Sequence, residues 1–321
     1  MDWLRNAKHM KEEELVARMR EASYYEVKGR EATCVLCPHR CVIPDGKKGR
    51  CGVREYRDGK LYALTYSLPC ALSVDQVEKK PLYHFLPGEK AFSIATQGCN
   101  LSCSWCQNHH LSNPRSVISA PYWKVTPEEV VSRCEEESCR MIAFTYTEPT
   151  VYYEYMMDVA KRARERGIRT VMVSNGYVEE APLRALTPYL DAANIDLKSF
   201  SEERYKEWTG GSLAPVLRTL TLLKQAKVWL EVTWLVVPGV SDDEEEAEKA
   251  FEWLAETLGR DQVLHLSKYF PHHRMHSSPT SDASMRRMQK LANKHLRYVY
   301  LGNMGLQQKG VREAGTPGVW E

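Results

Sequence analysis

Ala91-Phe92-Ser93-Ile94-Ala95-Thr96-Gln97-Gly98-Cys99-Asn100-Leu101-Ser102-Cys103-Ser104-Trp105-Cys106 is the stretch that decides how the chain is read. The apolar run Ala91–Thr96 predicts a strand, and the loop behind it carries three cysteines in the spacing C-x3-C-x2-C. Thiolates packed so closely repel one another, and thiols oxidise. A metal or iron–sulfur centre removes both problems. Three ligands leave one position open for chemistry, as in a catalytic zinc site, and a four-iron cubane held this way keeps one iron free. The competing reading is a structural zinc knuckle, for which only His109 or His110 stands near enough to be the fourth ligand.

A second cysteine group lies upstream. Cys34, Cys37, Cys41 and Cys51 are spaced C-x2-C-x3-C-x9-C among turn formers such as Pro38, Pro44, Gly46, Gly49 and Gly52. Four thiolates so placed can close a tetrahedral zinc site, with His39 able to replace one of them. The metal would supply folding energy that a loop-built element lacks. A second redox cluster is the alternative. Cys70, Cys134 and Cys139 fall outside both groups and are read as buried thiols.

The totals restrict the class of protein. At 321 residues the chain can bury a large core, and 43% apolar with 27% charged residues is ordinary for a water-soluble chain. Lys plus Arg number 44 and Asp plus Glu 42, so no electrostatic case arises for nucleic acid or an anionic membrane. The N-terminus runs into Lys11-Glu12-Glu13-Glu14 without an apolar signal region, and no run approaches a membrane span. Ten cysteines in such a chain point to metal or thiol chemistry in the cytoplasm.

Downstream of the cysteine loop, short apolar strands alternate with amphipathic helices, which predicts parallel βα units. Strands are expected at Ala91–Thr96, Met141–Thr145, Arg169–Val173, Ala192–Leu197, Val228–Val237 and Val263–Lys268. Helices are expected at Pro127–Glu137, Val151–Arg166, Glu180–Tyr189, Ala214–Ala226 and Asp242–Leu258, with Thr126 and Ser241 as N-caps. Six strands are too few for a closed eight-fold barrel. The expected fold is therefore α/β: a partial (β/α)6 TIM-like barrel with a small N-terminal Cys-rich element. The division reads as a helical segment over 1–30, with its helix at Met10–Ala22, then the Cys-rich element and a hairpin turning at Asp58-Gly59 over 31–88. The barrel follows over 89–303, and a loose tail over 304–321. Tyr83, His84 and Phe85 are expected to cover the barrel bottom or a domain seam.

Chemistry in βα barrels sits after the C-terminal ends of strands. The polar exceptions fall there: the three cysteines, then Glu148 in Tyr146-Thr147-Glu148-Pro149-Thr150, then Ser174-Asn175-Gly176. Asp196-Leu197-Lys198 comes next, sending Asp and Lys to one face, and Phe270-Pro271-His272-His273-Arg274-Met275 ends the series. Each has a plain structural reading as a helix cap, a turn or an ion pair. Together they suit a zwitterionic ligand such as the methionine end of S-adenosylmethionine (SAM), which needs acceptors for its ammonium and cations for its carboxylate.

Gly98–Asn108, Cys34-Val35-Leu36-Cys37-Pro38-His39-Arg40-Cys41, Gly49–Arg54, Glu78–Phe85 and Thr147-Glu148-Pro149-Thr150 resemble the radical-SAM member of the AmmeMemoRadiSam system. That family is related to the pyruvate formate-lyase activating enzyme, and the resemblance runs from Cys34 to about Asn303. It implies a [4Fe–4S] cluster on Cys99, Cys103 and Cys106, whose open iron binds SAM. One electron then yields a 5′-deoxyadenosyl radical that abstracts hydrogen from a substrate. It further implies SAM contacts from Ser174, Asp196, Lys198 and His273, to which the strand-end pattern adds Glu148 and Asn175. The implied partners are a flavodoxin- or ferredoxin-like one-electron donor and a substrate that includes proteins among its candidates. The alternatives are an activating enzyme that makes a glycyl radical on a partner and, in another class, a non-catalytic metal-binding scaffold. The chain departs from the pattern twice. The simplest glycyl-radical activases lack a segment like Cys34–Cys51, and the tail from Gly305 to Glu321 lacks the further cysteine pair with which relatives tend to end.

Overall fold

A computed structural model describes residues 19–112 and 122–304. Most of the expected helix Met10–Ala22 therefore lies outside the described residues. At its end Arg20–Glu21 forms strand β1 instead. The expected tail lies outside them beyond Met304.

The N-terminal element is built from short antiparallel strands. β2 (Tyr25–Lys28), β3 (Glu31–Cys34) and β4 (Val42–Pro44) form one sheet. β3 alternates half-buried with buried positions, so Ala32 and Cys34 face inward. β5 (Lys47–Lys48), β6 (Arg54–Arg57) and β7 (Lys60–Ala63) join β1 in a second sheet. The expected hairpin turn is present, with positive φ at both Asp58 and Gly59, as a two-residue turn between twisted strands requires.

The remainder is a mixed α/β fold around one eight-stranded sheet. Its strands are β8 (Ala71–Gln76), β9 (Lys90–Ala95), β10 (Met141–Phe144), β11 (Arg169–Ser174), β12 (Ala192–Asp196), β13 (Trp229–Val236), β14 (Val263–Lys268) and β15 (Tyr298–Gly302). They pair in sequence order, all parallel except β8, which runs antiparallel beside β9. The sheet is open, since β8 and β15 occupy its two edges. Six parallel strands were expected and seven are present, with an antiparallel eighth. β8 alternates apolar residues with Ser73 and Asp75 and reads as loop, and β15 is only five residues long.

Helices α1 (His109–Ser112), α2 (Pro127–Glu136), α3 (Tyr153–Glu165), α4 (Glu180–Leu186), α5 (Glu202–Thr209), α6 (Leu213–Gln225), α7 (Glu244–Leu258) and α8 (Asp282–Ala292) complete the order. α2 begins with the expected Thr126 cap. It is a full capping box, in which Glu129 N–H donates to Thr126 Oγ1 and Thr126 N–H to Glu129. The cap of α7 is Asp243 and not Ser241: Asp243 accepts from Glu246 N–H, while the Ser241 hydroxyl accepts from Val237 N–H. No described helix is long and apolar enough to cross a membrane.

The two faces of the sheet are covered differently. Phe92, Ile94, Ile142, Phe144, Met172 and Ile195 join the main core with the helices. The opposite face holds Ala91, Met141, Ala143, Val171 and Ala192, packed under Val77 and Leu82 with Phe85 and Leu86 beside them. Residues 77–88, beginning with a 3-10 turn at Val77–Lys79, thus cover the N-terminal part of this face. Buried Glu231 pins this cover, accepting the backbone N–H of Tyr83 and His84 (both 2.9 Å), Trp229 Nε1 (3.0 Å) and His265 Nε2 (2.6 Å). Tyr83, His84 and Phe85 therefore lie on the sheet face away from the C-terminal strand ends.

Candidate active site

Gly98 shapes the cysteine loop. Its φ is +102°, and a Cβ there would lie 2.8 Å from Val53 and 2.9 Å from the carbonyl oxygen of Cys51. Only glycine allows this approach of the loop to the Cys-rich element. Backbone hydrogen bonds then tie the loop to its surroundings: Gly98 N–H to Leu111 O, Ser102 N–H to Thr209 O, and Arg274 N–H to Ser104 O. Trp105 is buried against Val237, Val240, Tyr269 and Met275.

The loop offers sulfur donors with N–H groups already aimed at them. Leu101 N–H lies 3.4 Å and Asn175 Nδ2 3.7 Å from Cys99 Sγ. Burial pushes the Cys99 thiol well above its ordinary value and that of Cys103 up to about 11, so a metal bound there would have to displace their protons. Three sulfur donors on one half-buried loop, with a glycine cradle and N–H groups aimed at Cys99, fit an iron–sulfur cluster. Among the described residues, no three or more His, Cys, Asp and Glu side chains gather tightly enough to hold a single metal ion as they stand.

The other expected residues line the same C-terminal edge. Glu148, at the end of β10, is 2% exposed and shapes the turn after β11. It accepts from Ser174 Oγ (2.8 Å), Asn175 N–H (2.9 Å) and Thr150 N–H (2.9 Å). Burial raises its pKa, and these donors oppose the shift. Gly176 completes the turn at φ +70°, where a Cβ would lie 2.9 Å from Ile195. Asn175 Nδ2 reaches both Asn100 Oδ1 (2.9 Å) and Cys99 Sγ, joining the turn to the cysteine loop.

Asp196 and Lys198 form an ion pair of 2.7 Å beside Cys103. Burial works against the Lys198 ammonium, but Asp196 and Cys103 outweigh it and hold its pKa above the ordinary value. His273 stands apart from this group. Its ring stacks on His109 at 4.5 Å, so it flanks the cysteine loop from the side of α1.

A further group was missed from sequence. Tyr146 adopts φ +65°, unusual for a side chain of its size, and its hydroxyl meets Asp75 Oδ2 (2.8 Å), Ser73 Oγ (2.5 Å) and Lys80 Nζ (3.1 Å). Burial raises the Asp75 pKa, but Ser73, Lys80 and Tyr146 overcome it and hold the carboxyl well below the usual range. Tyr146 O accepts from Asn108 Nδ2 (2.7 Å), which ties this group to the residues behind Cys106.

In the N-terminal element, Cys34, Cys37, Cys41 and Cys51 line one cavity together with His39, Arg54 and Asn100. Burial pushes the Cys37 thiol up to about 12 and that of Cys51 to about 11. His39 Nε2 contacts Asn100 O at 2.7 Å. Cys70, Cys134 and Cys139 are buried, as expected.

Residues 93–252 match the model of the Radical SAM superfamily. The chain is 41% identical over 290 residues to an uncharacterized protein of Methanocaldococcus jannaschii, covering 89% of this chain and 86% of that protein. It is 25% identical over 175 residues to the pyruvate formate-lyase-activating enzyme of Staphylococcus epidermidis, covering 51% of this chain and 68% of the relative. Among solved structures, its fold is similar to that of SuiB from Streptococcus suis bound to S-adenosylmethionine. The TM-score is 0.52 at 12% identity, over 70% of this chain and 52% of SuiB.

Proposed function

Since this chain belongs to the radical SAM superfamily, we propose that it holds a [4Fe–4S] cluster on Cys99, Cys103 and Cys106 and uses SAM to abstract hydrogen from a substrate. When bound, the cluster supplies the electron that cleaves SAM to methionine and a 5′-deoxyadenosyl radical. The chain's own residues bind, orient and shield.

One observation carries the reading: the cysteine loop is joined to the Ser174-Asn175 turn through Asn175 and lies beside the Asp196–Lys198 pair at Cys103. Lys198 offers a cation for the SAM carboxylate, and Asp196 an acceptor for its ammonium. Asn175 reaches the cluster side of the site. The three hydrogen bonds to Glu148 support a positioning role, in which it sets the turn that presents Asn175. Ser174 shares that role through its hydroxyl. His273 flanks the cluster loop through His109.

The electron would come from an external one-electron donor of the flavodoxin or ferredoxin class. The finer kinship, to the radical-SAM member of the AmmeMemoRadiSam system, rests on the residue runs quoted above. The 25% identity to an activating enzyme favours a second reading, in which the substrate is a partner's backbone glycine. Mixing the reduced protein and SAM with such a partner separates the two, because only activation leaves a glycyl radical signal in electron paramagnetic resonance. The match of residues 93–252 to the Radical SAM superfamily counts against a non-catalytic scaffold.

The test of the main reading is anaerobic reconstitution followed by dithionite and SAM. 5′-Deoxyadenosine is expected from the wild type and not from Cys103→Ala. Its absence from both, or equal formation by both, overturns the proposal.

A further inference from the structure

We propose that Cys34, Cys37, Cys41 and Cys51 hold a second iron–sulfur cluster of the cubane class, with the Arg54 guanidinium donating N–H groups to its sulfurs. The inference does not depend on the SAM chemistry assigned to Cys99, Cys103 and Cys106.

The cavity comes first. All four cysteines line it, together with Arg54 and Asn100. In a tetrahedral zinc site four sulfurs about 2.3 Å from one ion nearly touch each other. The four thiols here do not gather around a single ion position. The same is true of Cys99, Cys103 and Cys106, the set that serves a cubane in this superfamily. A cubane spreads its ligands over separate irons and asks for this looser spacing.

Arg54 is the second, independent observation. Its side chain is 2% exposed, and Nη2 donates to Glu154 at 2.7 Å. Nε and Nη1 are buried and have no partner. The guanidinium lines the cavity and lies within electrostatic reach of Cys34 and Cys51. Buried donors left unsatisfied on a charged group are costly, and neutral thiols are poor acceptors. Cluster sulfides and cysteine thiolates are anionic acceptors, and they would satisfy both groups in the place the cavity provides. Glu154 alone leaves that side of the guanidinium without a counterpart.

The site also adjoins the first cysteine loop. Asn100, next to Cys99 in the chain, lines the four-cysteine cavity, and the Cys51 carbonyl limits the space at Gly98. The two centres share one wall.

The experiment uses the full chain carrying Cys99→Ala, Cys103→Ala and Cys106→Ala, reconstituted anaerobically with iron and sulfide. It should retain about four iron and four sulfide per chain, with the broad visible absorbance of a cluster. Adding Cys37→Ser and Cys41→Ser should remove both. Zinc at one per chain without iron, or no metal at all, overturns the proposal while leaving the SAM reading intact. Failure of 5′-deoxyadenosine formation in the wild type, with this iron retained, strikes the SAM reading alone. In the same triple variant, Arg54→Lys should keep the metal and lower the midpoint potential, because it removes N–H donors to sulfur. An unchanged potential removes Arg54 from the site.

Discussion

Glu148 accepts the Ser174 hydroxyl at 2.8 Å, so the end of one strand shapes the turn that closes the next. The same carboxylate takes the Asn175 N–H on its other oxygen. In Glu148→Gln the new NH₂ group must face a donor it cannot accept, costing about 1–3 kcal/mol. Thermal unfolding should show the loss, together with weaker SAM binding by calorimetry.

The pH dependence of that variant has a definite sign. Burial raises the folded pKa of Glu148, so between the ordinary carboxylate value and the raised one the folded state binds more protons than the unfolded. This group's contribution to stability therefore falls as pH rises through that window. Unfolding free energy measured against pH should show that slope in the wild type and lack it in Glu148→Gln.

Gly98→Ala should damage the cysteine loop. Its Cβ meets the Cys51 carbonyl at 2.9 Å, and the left-handed φ alone costs about 1–2 kcal/mol. A lower unfolding midpoint is expected, with less iron bound after anaerobic reconstitution. Full iron loading would mean that the loop tolerates displacement.

Lys198→Met separates SAM binding from cluster loading. Hydrogen bonds to charged groups contribute about 1.5–3 kcal/mol, so the Kd for SAM should rise about tenfold or more. Iron content should stay at the wild-type level, because the cysteines keep their loop contacts. Unchanged SAM affinity would remove Lys198 from the site.

Glu231→Gln tests the cover that residues 77–88 lay over one face of the sheet. Burial raises the Glu231 pKa, but His265 and the Tyr83 and His84 N–H groups overcome it and depress the folded value. Its contribution is present above the ordinary carboxylate pKa and is lost as pH falls through the folded pKa. The variant should lose about 3 kcal/mol near neutrality and show a shallower acid-unfolding slope than the wild type. Loss confined to acid pH would contradict the assignment of Glu231 as the anchor.

Much of the fold was legible because it is local. The Thr126 capping box is written in four consecutive residues, and the apolar runs of β9 to β14 announce a buried parallel sheet. The cap of α7 was misplaced by two residues, because Ser241 and Asp243 both suit the position and only the Val237–Ser241 turn decides between them. β8 and β15 escaped because a short edge strand with polar alternate residues looks like loop until its neighbour is in place.

The cysteine spacings by themselves marked two groups of thiols, since cysteines a few residues apart are neighbours in any fold. They also placed the first site after a strand, where βα architecture puts chemistry. Tertiary structure alone decided what surrounds the sulfurs. Arg54 meets Glu154 across 100 residues, and Tyr146 meets Asp75 across 71. Glu148 serves the Ser174 turn rather than facing open space. Such contacts join side chains from separate strands, and no local pattern encodes which of several buried charges will face one another once the sheet has formed.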